Sequence, residues 1–234
     1  MSKLKILGIL PARGGSKGIP GKNLRLLHGQ PLLAWAATAL HFCPQIHRRI
    51  CSTDDPAIAE TARQYHLETP FIRPNSLAQD NIPVIDVVRH ALNELDDPDD
   101  PYTHIVLVQA TTPTVTADDI SHAVDLLVEH EADTIITGFL ATSQHPALMF
   151  TQDGPNGCVN WLLRNGQHSC RRQDLPPVFV RTGLLYLTSA NIIRGRGSLY
   201  GDRIHAMIVE ESRAVTIDEE PDFHRAEQLL ERYK

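Results

Sequence analysis

The sequence lacks the features that identify several protein classes directly. No apolar run reaches the roughly 20 residues that span a bilayer. Because a strand pattern lies within the first twelve residues, we expect no signal peptide. Cysteine is scarce, with four residues and no CxxC pair, which disfavours a zinc site and predicts free buried thiols in a reducing cytoplasm. Basic residues are outnumbered 22 to 28, and the net charge of −6 argues against a nucleic-acid binder.

Apolar strand patterns alternate with amphipathic helical patterns along most of the 234 residues. Since this alternation folds as right-handed crossovers, we expect one α/β domain over 1–234 with a doubly wound, mainly parallel sheet. Asp55 before Pro56, and Thr116 three residues before Asp119, have the pattern of helix N-termini. The predicted strands cover 6–10, 49–52, 105–108 and 134–139, and the predicted helices cover 32–42, 56–65, 84–94, 117–129 and 222–232.

The alternation breaks down at about 141–180, where glycines and prolines surround Trp161. Turn-forming residues at this density predict a short β-rich insertion rather than another crossover unit. The acidic run at 96–101 contains two prolines and four carboxylates that repel one another, so we interpret it as a solvated loop and not as a metal site.

The most informative segment is the glycine-rich loop LPARGGSKGIPGKN at 10–23, which follows the first predicted strand. Backbone N–H groups of such loops bind phosphates, and glycine lets the backbone approach an anion without an intervening Cβ. Three cations, Arg13, Lys17 and Lys22, strengthen the prediction of a polyphosphate site. The loop is not a P-loop, because no serine or threonine follows its Gly-Lys pair, and its glycine spacing does not fit GxGxxG.

The same loop resembles the signature of the cytidylyltransferases that make CMP-activated nonulosonic acids: the CMP-N-acylneuraminate synthetases with their legionaminic and pseudaminic acid relatives. The resemblance implies a Rossmann-like nucleotidyltransferase fold and transfer of CMP from CTP to the anomeric hydroxyl of an acidic nonulosonic sugar, with release of pyrophosphate. It also implies a homodimer in which the insertion makes most of the contacts. Similar blocks follow in the family's order: PLLAWAATAL at 31–40, STDDPAIAETA at 52–62, RPNSLAQD at 73–80, VQATTP at 108–113, RRQDLPPVFVRTGLLY at 171–186 and TIDEEPDFHRAE at 216–227.

The resemblance assigns the nucleotide to the glycine-rich loop and to the RPNSLAQD block. Arginine can hold two phosphate oxygens at once, whereas lysine acts as a point charge. Catalytic roles fall to Arg13, Lys22 and Asp218. The predicted nucleotide-binding residues are Ala12, Arg13, Gly14, Gly15, Ser16, Lys17, Lys22, Asn23, Arg73 and Asp80.

Several of these residues have structural alternatives. Lys17 and Lys22 could be solvated surface charges. Asn23 could cap a turn, and Arg73 could simply anchor its loop to Asp80.

Magnesium is the cofactor that the resemblance implies. Mg²⁺ prefers oxygen ligands, usually one or two carboxylates with phosphates and water. The family places two aspartates one residue apart near the C-terminus; here Asp218 matches the second, whereas Thr216 replaces the first. We therefore expect one Mg²⁺, held by Asp218 and the triphosphate. The alternative is that Asp218 only opens the last helix.

The acceptor side departs furthest from the family's pattern. Thr182 replaces an asparagine, Val115 replaces an arginine, and Leu148 stands where many members have a lysine. Arg172 could clamp the carboxylate of an acidic sugar or form a salt bridge at the dimer interface. The predicted substrate-binding residues are Gln109, Thr111, Arg172, Gln173, Thr182, Gly183 and Tyr186.

These departures keep other functions open. The acceptor could be another compound, such as Kdo or a phosphonate, or the nucleotide could differ. The chain could also be a degenerate nucleotide-binding protein that has lost turnover. No general base is recognisable among twelve histidines; His145, before Pro146, is the most suggestive by position, and we interpret it as structural.

Overall fold

Strands and helices alternate through the part of the chain that the computed structural model describes, residues 4–16, 18–142, 145–153, 157–163 and 171–231. None of the helices in these ranges is long and apolar enough to cross a bilayer. The strands are β1 (Ile6–Pro11), β2 (Leu26–Leu27), β3 (Gln30–Pro31), β4 (Arg48–Ser52), β5 (His104–Val108), β6 (Thr134–Leu140), β7 (Phe150–Asp153), β8 (Cys158–Trp161), β9 (Phe179–Ser189) and β10 (Ile204–Ile208). The α-helices are α1 (Leu32–Phe42), α2 (Pro56–Gln64), α3 (Val84–Leu95), α4 (Ala117–Glu129), α5 (Ala190–Arg196) and α6 (Glu220–Leu230).

A six-stranded sheet with the order β10-β6-β9-β5-β1-β4 forms the centre of the fold. Neighbouring strands are parallel except around β9, which runs antiparallel to both β5 and β6. Helices α1, α2 and α4 pack on one face of the sheet, and α3 and α5 pack on the other. The predicted doubly wound, mainly parallel α/β fold is therefore confirmed.

The segment that holds β9, α5 and β10 was not predicted from the sequence. Within β9 the buried residues 184–187 form a short continuous apolar run rather than an alternating pattern. Periodicity alone cannot distinguish such a run from a buried helix. Because β9 follows the insertion instead of a crossover helix, it can return antiparallel beside β5 and β6.

Both predicted helix caps are confirmed. Asp55 Oδ1 accepts hydrogen bonds from two backbone N–H groups of the first turn of α2, at 2.7 and 3.3 Å. Thr116 Oγ1 accepts from the Asp119 N–H at 3.2 Å, and the Asp119 carboxylate accepts from the Thr116 N–H at 2.8 Å. The second pair is a capping box that starts α4 directly after the loop that follows β5.

An antiparallel hairpin of β7 and β8 lies within the predicted insertion. The rings of Phe150 and Trp161 meet edge to face across it, with centroids 6.2 Å apart. Both of these side chains are exposed, as are Val159 on β8 and Phe179 at the start of β9. That the insertion makes the dimer contacts stays a prediction.

Cysteine burial departs in part from the expectation. Cys43 and Cys51 are buried, but Cys158 on β8 is exposed. Cys170 lies outside the described residues. Burial raises the pKa of the Cys51 thiol to about 12, so this group stays protonated and unreactive near neutral pH.

Thr116→Ala should lower the free energy of unfolding by about 1 kcal/mol, because the N-cap hydrogen bond of α4 is lost. Urea unfolding followed by circular dichroism measures the change. Thr61→Ala is the matched control, since the Thr61 hydroxyl bonds only to the Ala57 carbonyl within α2 and alanine is the better helix former. Equal losses in the two variants would contradict the capping assignment.

Alkylation of the native protein at pH 8 should label Cys158 first and leave Cys51 unmodified until the chain unfolds. The reason is that the thiolate is the reactive form, and burial disfavours it at Cys51. Peptide mass spectrometry after timed iodoacetamide treatment measures both sites. Labelling of Cys51 as fast as Cys158 would show that the sheet opens readily at β4.

Candidate active site

A cavity of about 310 Å³ opens at the carboxyl ends of β1 and β5. This is the edge of an open α/β sheet where ligands are expected to bind. The glycine-rich loop forms one wall, and α3 with the residues that precede it forms another. The predicted site residues that line the cavity are Arg13, Ser16, Lys22, Asn23, Arg73, Asp80, Gln109, Thr111 and Asp218.

Lys22 is a buried cation that joins the loop to the C-terminal segment. Its Nζ donates to the Ile217 carbonyl oxygen at 2.6 Å and to Asp218 Oδ1 at 3.2 Å. The alternative of a solvated surface lysine is therefore wrong. A buried ammonium is stable only when it is paired and hydrogen-bonded. The bonds to Ile217 and Asp218 are therefore what allow Lys22 to be buried.

The two arginines of the cavity each have an aspartate partner as well. Arg13 pairs with Asp80 at 2.5 Å, and the buried Arg73 pairs with Asp54 at 3.3 Å. Burial lowers the pKa of the Arg73 guanidinium, and Asp54 opposes that shift. The Nε atom of Arg73 is buried without a hydrogen-bond partner in the described structure, so the site holds a donor that a ligand oxygen would satisfy.

Backbone contacts fix the glycine-rich loop. The Gly14 N–H donates to Asp54 Oδ1 at 3.1 Å, and Asn23 Nδ2 donates to the Arg13 carbonyl oxygen at 2.9 Å. Asn23 thus holds the turn, as one alternative proposed, and also faces the cavity. A Cβ on Gly18 would collide with the Asp218 carbonyl oxygen, so the loop passes this close only with glycine there.

Asp218 lies at the open edge of the cavity and is not the helix cap. Helix α6 begins at Glu220, and Asp222 accepts hydrogen bonds from the N–H groups of Asp218 and Glu219, both at 3.0 Å. Thr216 lines the same cavity. The carboxylate of Asp218 is largely exposed apart from its contact with Lys22, which leaves carboxylate oxygen for a further ligand.

The predicted acceptor residues separate into two groups. Gln109 and Thr111 line the cavity, and Gly183 lies against the Gln109 side chain, which would be 3.6 Å from a Cβ. Thr182 is buried and bonded to the Thr137 hydroxyl at 2.6 Å. The Tyr186 hydroxyl accepts from Arg181 at 2.8 Å.

The remaining predicted residues lie around the cavity or beyond it. Ala12 is buried behind the loop, and Gly15 borders an adjoining polar cleft beside Ser16 and Asp80. Gln173 belongs to a separate cleft with His145. Arg172 begins a short 3-10 turn, and Lys17 lies outside the described residues.

His145 has the structural role that we predicted. Its Nδ1 accepts from the Ala147 N–H at 3.0 Å, and its Nε2 lies 3.1 Å from the Pro176 carbonyl oxygen. Both ring nitrogens are therefore used, and the neutral ring with its proton on Nε2 satisfies both contacts.

Sequence reasoning missed Asp54, which binds both Arg73 and the Gly14 N–H. Its position directly after β4 was a signal, because the carboxyl end of a parallel strand is a ligand edge. Asp54 was overlooked because its neighbour Asp55, which lies before Pro56, already explained the two aspartates as the start of a helix. The apolar wall from Val84 and Val87 of α3 was also missed.

Comparison with known proteins assigns the chain to a family. A family model described as cytidylyltransferase matches residues 7–228. The chain belongs to the cytidylyltransferase family. It is 30% identical over 233 residues to the CMP-N,N'-diacetyllegionaminic acid synthase of Legionella pneumophila, covering 97% of each chain. It is 28% identical over 184 residues, 78% of each chain, to the pseudaminic acid cytidylyltransferase of Campylobacter jejuni.

A solved structure shares the fold of this cytidylyltransferase. It is a CMP:2-keto-3-deoxy-manno-octonic acid synthetase in complex with CTP, with a TM-score of 0.72. The match covers 98% of this chain and 100% of that one, at 12% identity. The expected family and the nucleotidyltransferase fold are therefore confirmed.

Gly18→Ala should weaken CTP binding at least tenfold, because the added Cβ forces the loop away from Asp218 and shifts Lys22. Isothermal titration with CTP measures the loss. Gly195→Ala is the matched control, because its Cβ meets no atom within 4 Å at the surface of α5. Unchanged CTP affinity in Gly18→Ala would show that the contact between loop and C-terminal segment does not shape the nucleotide site.

Proposed function

We propose that this cytidylyltransferase transfers CMP from CTP to the anomeric hydroxyl of an acidic nonulosonic sugar and releases pyrophosphate. One observation carries the proposal: Arg13, Lys22 and Arg73 converge on one cavity at the ligand edge of the sheet. The similarity to a CMP-nonulosonate synthase over 97% of the chain supports the choice of nucleotide and acceptor class. The cavity volume lies within the range of small-molecule sites.

The reaction needs positive charge around the phosphates. The acceptor hydroxyl oxygen attacks the α-phosphorus, and the bond to the β-phosphate breaks with its electron pair leaving on pyrophosphate. The hydroxyl gives up its proton to water as the new P–O bond forms. Charge spreads over the phosphate oxygens in the transition state, so fixed cations and backbone donors stabilise it. Arg13 and Arg73 can exchange aspartate oxygens for phosphate oxygens, while the carbonyl of Ile217 holds Lys22 in place.

We propose Mg²⁺ as the cofactor, with Asp218 as its protein ligand. A single carboxylate with phosphate oxygens is a usual donor set for this ion. In the described part of the chain no cluster of three or more His, Cys, Asp or Glu side chains could hold a metal without substrate. When bound, the ion would offset phosphate charge and polarise the α-phosphate. Thr216 lines the same edge and could hold a coordinated water.

We also propose that the enzyme is a homodimer built on the insertion and works in the cytoplasm. The exposed apolar side chains of Phe150, Val159, Trp161 and Phe179 support a protein interface at the β7–β8 hairpin. The exposed free thiol of Cys158 suits a reducing compartment. Light scattering after gel filtration should give twice the chain mass, and a concentration-independent monomer would overturn the dimer.

Pyrophosphate should be released with Mg²⁺, CTP and one acidic sugar, and not with UTP, ATP or GTP. The panel of acceptors is N-acetylneuraminate, N,N'-diacetyllegionaminate, pseudaminate and Kdo. Chelation of Mg²⁺ with EDTA should stop release, and added Mg²⁺ should restore it. Release with Kdo alone would favour a different acceptor class, and tight CTP binding without release from any pair would favour a degenerate binding protein.

Asp218→Asn should lower kcat by about 10²- to 10³-fold, because a charge that stabilises the transition state through the metal is lost. CTP affinity measured without metal should stay within a few-fold, since Lys22 keeps its bond to the Ile217 carbonyl. Asp202→Asn is the control, because Asp202 pairs with Arg196 on the surface. Full activity of Asp218→Asn would remove this residue from the reaction.

A further inference from the structure

The segment that brings Asp218 to the cavity starts at Arg213, whose side chain ties this start to two other parts of the fold. Its Nη1 donates to Asp119 Oδ1 at 3.0 Å, and its Nη2 donates to the Thr114 carbonyl oxygen at 3.0 Å and to Asp119 Oδ2. The Thr114 hydroxyl donates back to the Arg213 carbonyl oxygen at 2.7 Å. The segment 213–218 is therefore joined to the loop after β5 and to the first turn of α4.

The ion pair of Arg213 and Asp119 has a fixed geometry. Asp119 is buried and Arg213 is half-buried. Asp119 Oδ2 also accepts from the N–H and the hydroxyl of Thr116, both at 2.8 Å, so the capping box holds the carboxylate that receives the guanidinium. A guanidinium bonded through both of its Nη atoms is fixed in direction as well as in position, which a lysine ammonium would not be.

Packing alone does not hold the start of this segment. A second cavity, of about 750 Å³, borders it, and within the described part of the chain this cavity shares no lining residue with the candidate active site. Trp35 of α1, Met207 of β10 and Glu210 line the second cavity together with Arg213. Side chains beside such a space lack the close contacts that fix a core, so the bonds of Arg213 replace packing there.

A second fixed point lies near the other end of the segment. The Ile217 N–H donates to the Thr111 carbonyl oxygen at 2.8 Å, and the Ile217 carbonyl oxygen receives Lys22. Asp218 follows directly, so the place of its carboxylate depends on both anchors. Arg213 sets where the segment begins, and Ile217 sets where it meets the loop after β5.

We propose that Arg213 is a positioning residue for Asp218. Together with Asp119 it fixes the start of the segment 213–218 and thereby holds the Asp218 carboxylate at the edge of the cavity. The inference rests on the proposed CMP transfer, in which Asp218 is the protein ligand of Mg²⁺. Arg213 acts through Asp218 and not by touching the nucleotide or the acceptor. Altering a group that orients a metal ligand typically lowers metal affinity or activity by about 10- to 100-fold.

Arg213→Gln and Arg213→Lys test the proposal by calorimetry with CTP, in the presence and absence of Mg²⁺, and by steady-state kinetics. In the unaltered protein Mg²⁺ should strengthen CTP binding through Asp218. Arg213→Gln should reduce that gain and kcat by about 10-fold each, while the CTP affinity without metal and the acceptor KM stay within a few-fold. Arg213→Lys should recover part of the loss, because it keeps the charge beside Asp119 without the fork of donors.

Two control variants separate this role from stability and from surface charge. Thr116→Ala weakens the cap of α4 but leaves the bonds between Arg213 and Asp119 in place. It should unfold at lower urea concentration and keep its kcat and its metal-dependent gain in CTP affinity. Arg196→Gln, which alters a surface arginine paired with Asp202, should match the unaltered enzyme.

The double variant Arg213→Gln, Asp218→Asn shows whether the two residues act together. If Arg213 works through Asp218, the double variant should lose little more kcat than Asp218→Asn alone, whereas independent residues would lose the product of their single effects. Multiplied losses, or a Thr116→Ala enzyme as impaired as Arg213→Gln, would overturn the proposal. So would a loss of metal-free CTP affinity as large as the loss with Mg²⁺.

The remaining outcomes distinguish this inference from the proposed function. If Arg213→Gln does not fold, Arg213→Lys decides, and an unchanged metal-dependent gain in that variant would overturn the proposal. A gain that falls in the Arg213 variants, in a protein that transfers CMP to no acceptor, would uphold this inference and overturn the proposed function. CTP binding that neither Mg²⁺ nor Asp218→Asn alters would overturn the role of Arg213.

Discussion

The buried ammonium of Lys22 is the interaction on which the geometry of the site depends. It is joined to the Ile217 carbonyl and the Asp218 carboxylate, so the glycine-rich loop cannot take its position without the C-terminal segment. That segment is held in turn by the Ile217 N–H, which donates to the Thr111 carbonyl at 2.8 Å. The ends of β1 and β5 and the segment before α6 therefore form one wall. Because an unpaired buried charge is costly, the arrangement is strongly favoured over looser ones.

Charge pairing gives this wall a second property. The three cations of the cavity pair with Asp80, Asp54 and Asp218, so the free protein carries little net charge at the site that we propose for the triphosphate. The aspartates keep the cations oriented, which means that little reorganisation is needed when phosphate oxygens replace them. Asp54 also binds the Gly14 N–H, so it couples the orientation of Arg73 to the backbone of the loop.

Local chemistry made much of the fold predictable, and pairing between distant residues made the rest unpredictable. The βαβ alternation depends on the periodicity within each segment, and the caps at Asp55 and Thr116 depend on residues within four positions. Both predictions are confirmed. The glycine-rich loop was predicted to be a phosphate site from its composition and its place after a strand, and its residues do line the cavity. The burial of Lys22 was not recognisable, since lysine is seldom buried and its partners are about 195 positions away.

The same limit applies to strand pairs and ion pairs between segments that are distant in the sequence. Sequence reasoning offered Asp80 as an anchor for Arg73, whereas the structure gives Asp54 to Arg73 and Asp80 to Arg13. It placed Thr182 and Tyr186 with the acceptor, and only the antiparallel course of β9 shows that the Thr182 hydroxyl turns to Thr137 and Tyr186 to Arg181. Family resemblance supplied the positions of these residues but not their contacts.

The contact between Lys22 and residues 217 and 218 affects the order in which the enzyme can fold during its synthesis. The strands β1, β4 and β5 and the glycine-rich loop are synthesised first, yet Lys22 lacks its partners until residues 217 and 218 have emerged from the ribosome. A growing chain can therefore form the first strands of its sheet before Lys22 reaches its final position. The wall that joins the glycine-rich loop to the end of β5 is therefore completed only when the segment before α6 has been added.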